Sequence, residues 1–300
     1  MDEFSKKIIV TVCPLCKGKR RKFFESIKDS GEELIYFLCT ACGLVFQSPR
    51  MGDADIIEFY KSYYRKKVQG TETPTEKDLR IQAGRARHLL KLLQRKVEVI
   101  KRHLDVGSSS GALLHEINAA YGCEGIGIEP GEAYRAASQS LGFQTFQHIQ
   151  DLPLGTRCSF DFVSIVQTLE HIPDPVAYLS HIRRNWMAPN GILLVETPNL
   201  FGHRSLELTH LIAFSPRTLR QTLELAGFKI LKVNIHGEPR SPILRLYITI
   251  IARALPVNTK LHKPGFRANF VRQRRRMALW LLDFLTEKIP NYTWRDLPRL

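Results

Sequence analysis

Apolar and polar positions alternate in blocks through the middle of the chain. Five short runs are rich in aliphatic and β-branched residues and have the length of buried strands: 101–107, 124–129, 160–166, 192–198 and 228–235. Amphipathic stretches with helical spacing separate them, and glycine or proline ends these stretches at Gly122, Gly142, Pro189-Asn190-Gly191 and Gly227. This alternation predicts an α/β fold, with a mostly parallel sheet and helices on both of its faces.

The segments on either side of this core have other patterns. Residues 82–100 form an amphipathic helical run, which follows a polar loop at 69–78. Residues 270–289 also have helical spacing, and their first turn is basic. The run at 246–253 fits two interpretations, a last antiparallel strand or part of a helix, and its pattern alone does not decide between them.

Four of the six cysteines stand in two C-x2-C pairs, Cys13 with Cys16 and Cys39 with Cys42, separated by 22 residues. Each pair forms a knuckle that directs two thiolates at one tetrahedral zinc ion. A four-thiolate site is structural, because it leaves no ligand position open. Strand-like runs lead into and out of the second pair, as in a zinc ribbon. Four unrelated core thiols are the alternative, which the paired spacing disfavours.

These patterns divide the chain into four predicted parts. They are a zinc ribbon at 1–50, a helical linker or cap at 51–99, the α/β core at 100–253 and a basic, helical, amphipathic tail at 254–300.

The formal net charge of +15 is concentrated outside the core. Residues 61–104 and 241–300 each carry a surplus of nine positive charges, whereas 105–240 is mildly acidic. Such surpluses favour an anionic partner or form a solubilising face. The chain lacks both an uncharged apolar run of about 18 residues and a secretory start, and metal-binding cysteines indicate a reducing compartment. We therefore expect a cytoplasmic protein, with peripheral association at the inner membrane face as an open alternative.

The sequence DVGSSSG, residues 105–111, connects the first predicted strand of the core to a helix. Small residues there let a ligand approach the backbone, and the helix start offers free N–H groups. Asp105 ends the strand, and its carboxylate suits a ligand with a positive centre rather than a pyrophosphate. Glu129 ends the next strand, where it can accept from both hydroxyls of a ribose. The two strand ends together indicate an adenosine ligand with a cationic, amino-acid-like tail.

These features resemble the class I S-adenosylmethionine-dependent methyltransferases. DVGSSSG fits the first motif of that family, with Ser109 where a middle glycine is commoner, and GIGIEP fits the second. DLPLGTRCSFDFVSIVQTLEHIPDP, MAPNGILLVETPN and THLIAFSPRTLRQTLELAGF fit the later regions, so the resemblance covers about residues 100–236. It implies a Rossmann-like fold whose cofactor-binding residues are Asp105, Gly107, Ser108, Ser109, Gly111, Glu129, Pro130, Ile149, Gln150 and Gln167.

The resemblance also implies roles for some of these residues. Asp105 and the backbone of 107–111 would hold the methionine part of S-adenosylmethionine, and Glu129 the ribose. His148-Ile149-Gln150 lies where relatives often carry an Asp-Ala-Glu-like run against the adenine. Without the Asp, the adenine contacts would depend more on the backbone.

A zinc ribbon ahead of such a core is similar to bacterial ribbon-bearing methyltransferases that are often associated with sugar, polysaccharide or lipid-linked metabolites. In this resemblance Tyr60, Tyr63 and Tyr64 lie on a helix that covers the active site. Simple packing of that helix on the core is the alternative.

The catalytic residues are predicted from their positions after the later strands. Methyl transfer is a direct displacement, which needs alignment and, for a hydroxyl acceptor, a base. Glu170 and His171 follow the fourth strand, and His210 stands in the run THLIAF; these three are the candidates. A hydrogen bond that fixes its loop is the competing role for His171. Similar quinone-biosynthesis enzymes carry an acid three residues before the glutamate, and Gln167 at that position disfavours a metal.

The preferred hypothesis is a methyltransferase for a small-molecule, sugar- or lipid-linked acceptor, with the basic tail facing an anionic membrane or a phosphorylated carrier, or packing on the core. An RNA methyltransferase is the second hypothesis, which the sequence QTLEH disfavours, since no Asn-Pro-Pro-Tyr-like motif follows the fourth strand. A non-catalytic binding module with a degenerate cofactor pocket is the third; Ser109, His148 and Gln167 are its support.

Overall fold

The computed structural model describes residues 7–29, 31–52, 55, 56, 59, 71–202, 204, 206–259, 261, 265, 268 and 270–295. The predicted helix with Tyr60, Tyr63 and Tyr64 lies outside these residues.

The described secondary structure follows the chain in the order ribbon, core and tail. The strands are β1 (Lys7–Ile8), β2 (Arg21–Asp29), β3 (Glu32–Cys39), β4 (Val45–Gln47), β5 (Arg50–Met51), β6 (Arg102–Val106), β7 (Glu124–Ile128), β8 (Gln144–Phe146), β9 (Phe160–Val166), β10 (Met187–Pro198), β11 (Ile212–Ala213), β12 (Phe228–His236) and β13 (Tyr247–Ala254). The helices are α1 (Glu76–Gln94), α2 (Ala112–Tyr121), α3 (Glu132–Ser140), α4 (Pro175–Asn185), α5 (Pro216–Leu225), α6 (Val271–Lys288) and α7 (Pro290–Thr293).

A seven-stranded sheet forms the centre of the molecule, in the order β12-β13-β10-β9-β6-β7-β8. The pairs from β10 to β8 are parallel, whereas β13 runs antiparallel between β10 and β12. The predicted mostly parallel sheet is confirmed, and the run at 246–253 is a strand rather than part of a helix. The strand order reverses between β6 and β9, so the crevice at their carboxyl ends is the expected ligand site.

Helices cover both faces of this sheet, as the sequence predicts. On one face Leu89 and Leu93 of α1 pack with Ile117 of α2 against Phe162 and Leu194 of the sheet. On the other face the buried contacts come from α4 and α5, through Leu179, Ile182, Leu219, Leu223, Val163 and Leu193. Each fully buried aliphatic side chain of this kind contributes about 1.5–3 kcal/mol. The two cores hold the strand ends in fixed positions.

Two predicted helix ends are wrong. α1 ends at Gln94 rather than near residue 100. The apolar residues Val97 and Ile100 lie in the connection to β6 and are buried there, so the apolar pattern continues after the helix has ended. α4 ends at Asn185 instead of reaching 189–191. Met187 already pairs with Phe160 of β9, and an irregular register before Ile192 accommodates the Pro-Asn-Gly turn within β10.

The N-terminal ribbon is packed onto the α/β core. Its sheet has the order β11-β4-β3-β2, so that β11, which follows β10 in the chain, is an edge strand of the ribbon. Ile212 pairs with Phe46, and both side chains belong to the same hydrophobic core as Val195 and Phe214. The ribbon therefore fixes a segment that follows the fifth strand of the core.

Within the described residues, no helix combines the length and the apolar character that crossing a membrane requires.

Candidate active site

A cavity of about 1170 Å³ opens at the carboxyl ends of β6, β7, β9 and β10. Ligand sites usually measure roughly 300–1,000 Å³, so this one has room for a cofactor together with a small second molecule. Most of the predicted site residues line it: Asp105, Gly107, Ser108, Ser109, Glu129, Pro130, Ile149, Gln150, Gln167, Glu170, His171 and His210. Gly111 is not among the lining residues.

Asp105 lies at the end of β6 and is only 2% exposed. Ser164 Oγ donates to its Oδ1 over 2.6 Å, and His103 Nε2 lies 2.6 Å from the same Ser164 Oγ. Because the hydroxyl proton goes to Asp105, the nitrogen of His103 is the donor in the second bond. Burial raises the pKa of Asp105 to about 7, the Ser164 bond opposes this, and the charge of Glu129 adds to it. A cationic group of a ligand would favour the ionised carboxylate here.

The turn after β6 has the left-handed backbone that its glycines indicate. Gly107 has φ +79°, and a Cβ there would overlap the hydroxyl of Thr168. Ser109 also has a positive φ, of 50°, which explains why glycine is commoner at this position. Gly111 has φ +81°, and a Cβ would lie 2.7 Å from Ser138 Oγ of α3. Its role in the structure is close packing of the start of α2 against α3.

Glu129 follows β7 and braces the glycine turn. Its Oε2 accepts from Ser109 N over 2.9 Å, and its Oε1 accepts from Gly131 N over 2.9 Å. Each carboxylate oxygen can accept more than one hydrogen bond, so this carboxylate can serve ribose hydroxyls as well as the turn. Ile149 and Gln150 belong to a 3₁₀ turn at Ile149–Asp151. Both residues line the same cavity as Glu129. Asp151 accepts from the His148 N–H and so holds this turn.

Glu170, His171 and His210 come together at another part of the same cavity. One side-chain ligand atom of each lies within 4.8 Å of the others, so the three could hold a metal ion. His171 Nδ1 lies 2.8 Å from the Thr209 carbonyl, which only accepts, so Nδ1 carries the proton and Nε2 has the lone pair of the neutral ring. Burial raises the pKa of Glu170 to about 8. Gln167 donates to Glu196 Oε1 over 3.1 Å, which directs its amide to β10.

The ribbon holds the backbone that carries His210. Tyr36 of β3 is fully buried, and its hydroxyl lies 2.8 Å from the Glu207 carbonyl and 2.7 Å from the His210 carbonyl. Asp29 accepts from Leu208 N over 2.8 Å. Glu207 Oε2 lies 3.6 Å from His210 Nε2. Sequence reasoning missed Tyr36 and Glu207, since no local spacing relates the ribbon to residue 210.

A family model described as "Methyltransferase domain" matches residues 78–233, which is more than half of the 300-residue chain. The chain belongs to this methyltransferase family. The resemblance drawn from the motifs is therefore confirmed at the level of the family.

The methyltransferase domain is also similar to curated proteins over part of their length. A "Ubiquinone biosynthesis O-methyltransferase" of Psychrobacter arcticus is 32% identical over 108 residues, which are 33% of this chain and 41% of that protein. The protein of the same name from Hahella chejuensis is 33% identical over 91 residues, 28% of this chain and 38% of that protein. The chain thus matches less than half the length of these curated relatives.

A solved structure supports the same fold. This structure is the 1,6-didemethyltoxoflavin-N1-methyltransferase of Burkholderia thailandensis with bound 1,6-didemethyltoxoflavin and S-adenosylhomocysteine. It superposes on this chain with a TM-score of 0.57 at 14% sequence identity. The match covers 77% of this chain and all of that one. At this identity the likeness shows the fold alone, a class I α/β core with flanking helices.

A buried charged network extends inward from Arg85, which lines the methyltransferase cavity. Arg85 Nε of α1 lies 2.9 Å from Glu196 Oε1 of β10, and His236 Nε2 lies 3.3 Å from Glu196 Oε2. Burial alone would raise the pKa of Glu196, but the His236 bond and the Arg85 charge outweigh burial and lower it. Thr249 Oγ1 also donates to Glu196. In the sequence, Glu196 is the one acid in the mostly apolar run ILLVETP, but the run gives no information about which residues pair with it.

The four predicted zinc ligands of the methyltransferase come together in the ribbon. One Sγ of each lies within 4.8 Å of the others, and Cys13 and Cys42 are 3.6 Å apart, as Cys16 and Cys39 are 3.5 Å apart. A tetrahedron with Zn–S bonds of about 2.3 Å has edges of about 3.8 Å. All four cysteines are free thiols in this structure. The cluster therefore has the ligand type and spacing of a structural zinc site.

Proposed function

We propose that the chain transfers a methyl group from S-adenosylmethionine to a small-molecule acceptor. One observation carries this proposal. A single cavity contains the acidic glycine turn, with Asp105 and Glu129, and also the cluster of Glu170, His171 and His210. A methyl donor and an acceptor can therefore lie side by side in it.

The residues at the glycine turn fit the cofactor. Gly107 lets the turn pass close to Thr168, where a Cβ would overlap the Thr168 hydroxyl. Asp105 offers a buried acid to an ammonium group, and Glu129 offers a carboxylate to the ribose hydroxyls. Bound there, S-adenosylmethionine supplies an electrophilic methyl group. We propose that Pro130, Ile149 and Gln150 contact the adenine. The rest of the catalytic requirement is orientation and removal of a proton.

We propose His210 as the base for a hydroxyl acceptor. Glu207 lies close enough to stabilise its imidazolium, as a carboxylate does in other base–carboxylate pairs. His171 donates to the Thr209 carbonyl and so positions the backbone next to His210. Glu170, with its pKa raised to about 8, is protonated at neutral pH and can donate to an acceptor oxygen.

The acceptor is proposed as a small or lipid- or glycan-linked hydroxyl compound. Two curated relatives are named for an O-methylation in ubiquinone biosynthesis, which favours oxygen as the methylated atom. The mildly acidic core favours such an acceptor over RNA. We further propose a cytoplasmic location, and one structural zinc ion on Cys13, Cys16, Cys39 and Cys42.

Titration calorimetry with S-adenosylhomocysteine tests the cofactor assignment. We expect binding by the wild type and at least tenfold weaker binding by Glu129→Ala, because two turn N–H bonds and the ribose acceptors are lost together. Glu98→Ala, an exposed acid in the connection after α1, is the matched control. Absence of binding by folded, zinc-loaded wild type would favour the binding-module hypothesis. Labelled S-adenosylmethionine with cell extract then identifies the acceptor, and His210→Asn should abolish labelling while cofactor affinity is kept.

A further inference from the structure

Helix α6 has one buried side, which anchors it to the rest of the molecule. Val271, Arg275 and Leu282 are buried. Arg275 Nε lies 3.1 Å from Glu25 Oε2 of the ribbon, and its guanidinium also donates to the Leu200 carbonyl. The basic start of the predicted amphipathic helix is therefore used in part for packing on the core, the alternative that the sequence left open. The opposite side of the helix is held in a fixed orientation as a result.

That opposite side is an exposed apolar stripe. Met277, Trp280, Leu281 and Phe284 are 68%, 66%, 48% and 45% exposed. Their spacing of three, one and three residues places them on one face of the helix. The rings of Trp280 and Phe284 are stacked, with centroids 5.8 Å apart. The apolar exposure continues beyond the helix at Ile289, Tyr292 and Trp294. Large side chains of this kind are seldom left together in water without a partner.

Basic residues stand at both ends of the stripe. Arg274 and Arg276 are exposed directly before Met277, and Lys288 is exposed one turn after Phe284. Two acids of the helix that the structure describes have basic partners, Asp283 with Arg204 and Glu287 with Lys288. Residues 241–300 carry twelve basic and three acidic side chains in all. The surface is thus apolar along its centre and positively charged at the start of the helix, whereas the charge of Lys288 at the other end is balanced by Glu287.

We propose that this stripe docks the protein on an anionic lipid bilayer. Tryptophan and tyrosine have an apolar body and a polar edge, which suits the boundary between acyl chains and headgroups. The exposed arginines Arg274 and Arg276 beside the stripe attract anionic headgroups. A helix with this pattern lies in the plane of the interface rather than crossing it. The proposal does not rest on methyl transfer, since none of these residues lines the cavity.

Flotation with vesicles tests the proposal on the full, zinc-loaded chain. The vesicles are phosphatidylcholine alone, or phosphatidylcholine with about one-third phosphatidylglycerol. We expect binding to the anionic vesicles that weakens with salt. The double variant Trp280→Ser/Phe284→Ser should weaken it about tenfold or more, because the anchoring side chains are lost. The matched control is Leu154→Ser, which removes a leucine that is 74% exposed on the surface of the α/β domain, away from helix α6 in sequence. This variant should bind the vesicles as the wild type does.

The outcomes separate the occupants of the stripe. Retained zinc content and S-adenosylhomocysteine affinity in the double variant show that it is folded. This control does not depend on which acceptor, if any, the chain methylates. Wild type that floats with neither vesicle type overturns the proposal. A dimer in light scattering that the double variant abolishes, without vesicle binding, would assign the stripe to a second copy of the chain instead. Equal binding by wild type and double variant would also overturn it.

Discussion

Replacing Asp105, the buried acid at the end of β6, separates two effects of this side chain. One is its effect on the stability of the protein without cofactor, and the other is its effect on the affinity for the cofactor. Asp105→Asn keeps the shape of the side chain and the oxygen that accepts from Ser164, removes the charge, and replaces the other oxygen by an NH2 group. If Asp105 is kept to hold a ligand cation, the variant should make the cofactor-free protein more stable near pH 8. The same change should weaken cofactor binding.

The size of the stabilisation follows from the pKa of Asp105. Burial raises it from 3.8 to about 7, so the folded protein binds this proton more tightly than the unfolded chain. Stability therefore falls as pH rises between these two values, and the full cost is present above about pH 7. At about 1.4 kcal/mol per pKa unit, that cost is about 4 kcal/mol. Near pH 5 only about 1.6 kcal/mol of it is present.

Urea unfolding of wild type and Asp105→Asn, without cofactor, measures the difference. Any constant effect of the amide cancels when the gain at pH 8 is compared with the gain at pH 5, and we expect this difference to be about 2.5 kcal/mol in favour of pH 8. Titration with S-adenosylhomocysteine at pH 8 should give at least tenfold weaker binding by the variant. An equal gain at both pH values would refute the assigned burial cost, and unchanged affinity would refute the contact with a cation.

Two further predictions concern the glycine turn and the ribbon. Gly107→Ala should lower the free energy of unfolding by about 2–3 kcal/mol in urea titrations, because its Cβ overlaps the Thr168 hydroxyl at a left-handed φ. Gly142→Ala, at φ +89° with open space, is the control and should lose only about 1 kcal/mol; equal losses would contradict the steric argument. We expect Cys39→Ser to contain no zinc when its metal content is measured by mass spectrometry. Amide hydrogen exchange at 206–213 should be faster in this variant than in the wild type, whereas exchange in α2 should stay near that of the wild type. Full zinc content in the variant would contradict the four-thiolate site.

Local chemistry made part of the candidate site predictable. The two C-x2-C pairs, the glycine turn and the acids that end β6 and β7 are each contained in a short segment. Their function depends on strand ends that parallel α/β topology always brings to one edge. For this reason Asp105, Gly107 and Glu129 meet at the cavity as the motifs indicate. The position of Gly111 outside the cavity lining was not predictable, because a glycine needed for packing against Ser138 has the same spacing as one needed for a ligand.

Contacts between distant segments account for the parts that sequence reasoning missed. The Arg85–Glu196–His236 network joins α1, β10 and β12, and only the sheet order brings these three elements together. Arg85 gave no signal of its own, because an arginine within an amphipathic helix usually lies on the solvated face. Here it faces the cavity wall, since the acid it pairs with is fully buried.

The division of the chain into a ribbon and a separate core also hides a physical connection. Tyr36 reaches two carbonyls of the segment that carries His210, and β11 completes the ribbon's own sheet. If the four cysteines hold zinc as proposed, its loss would release β3 and with it this segment, although these cysteines are far from residue 210 in sequence. The ribbon would then be needed for the proposed base to keep its position, even though none of its four cysteines lines the cavity. A structural metal held by the ribbon would in this way act on the cavity from a distance, through hydrogen bonds to the backbone and the packing of Ile212 on Phe46.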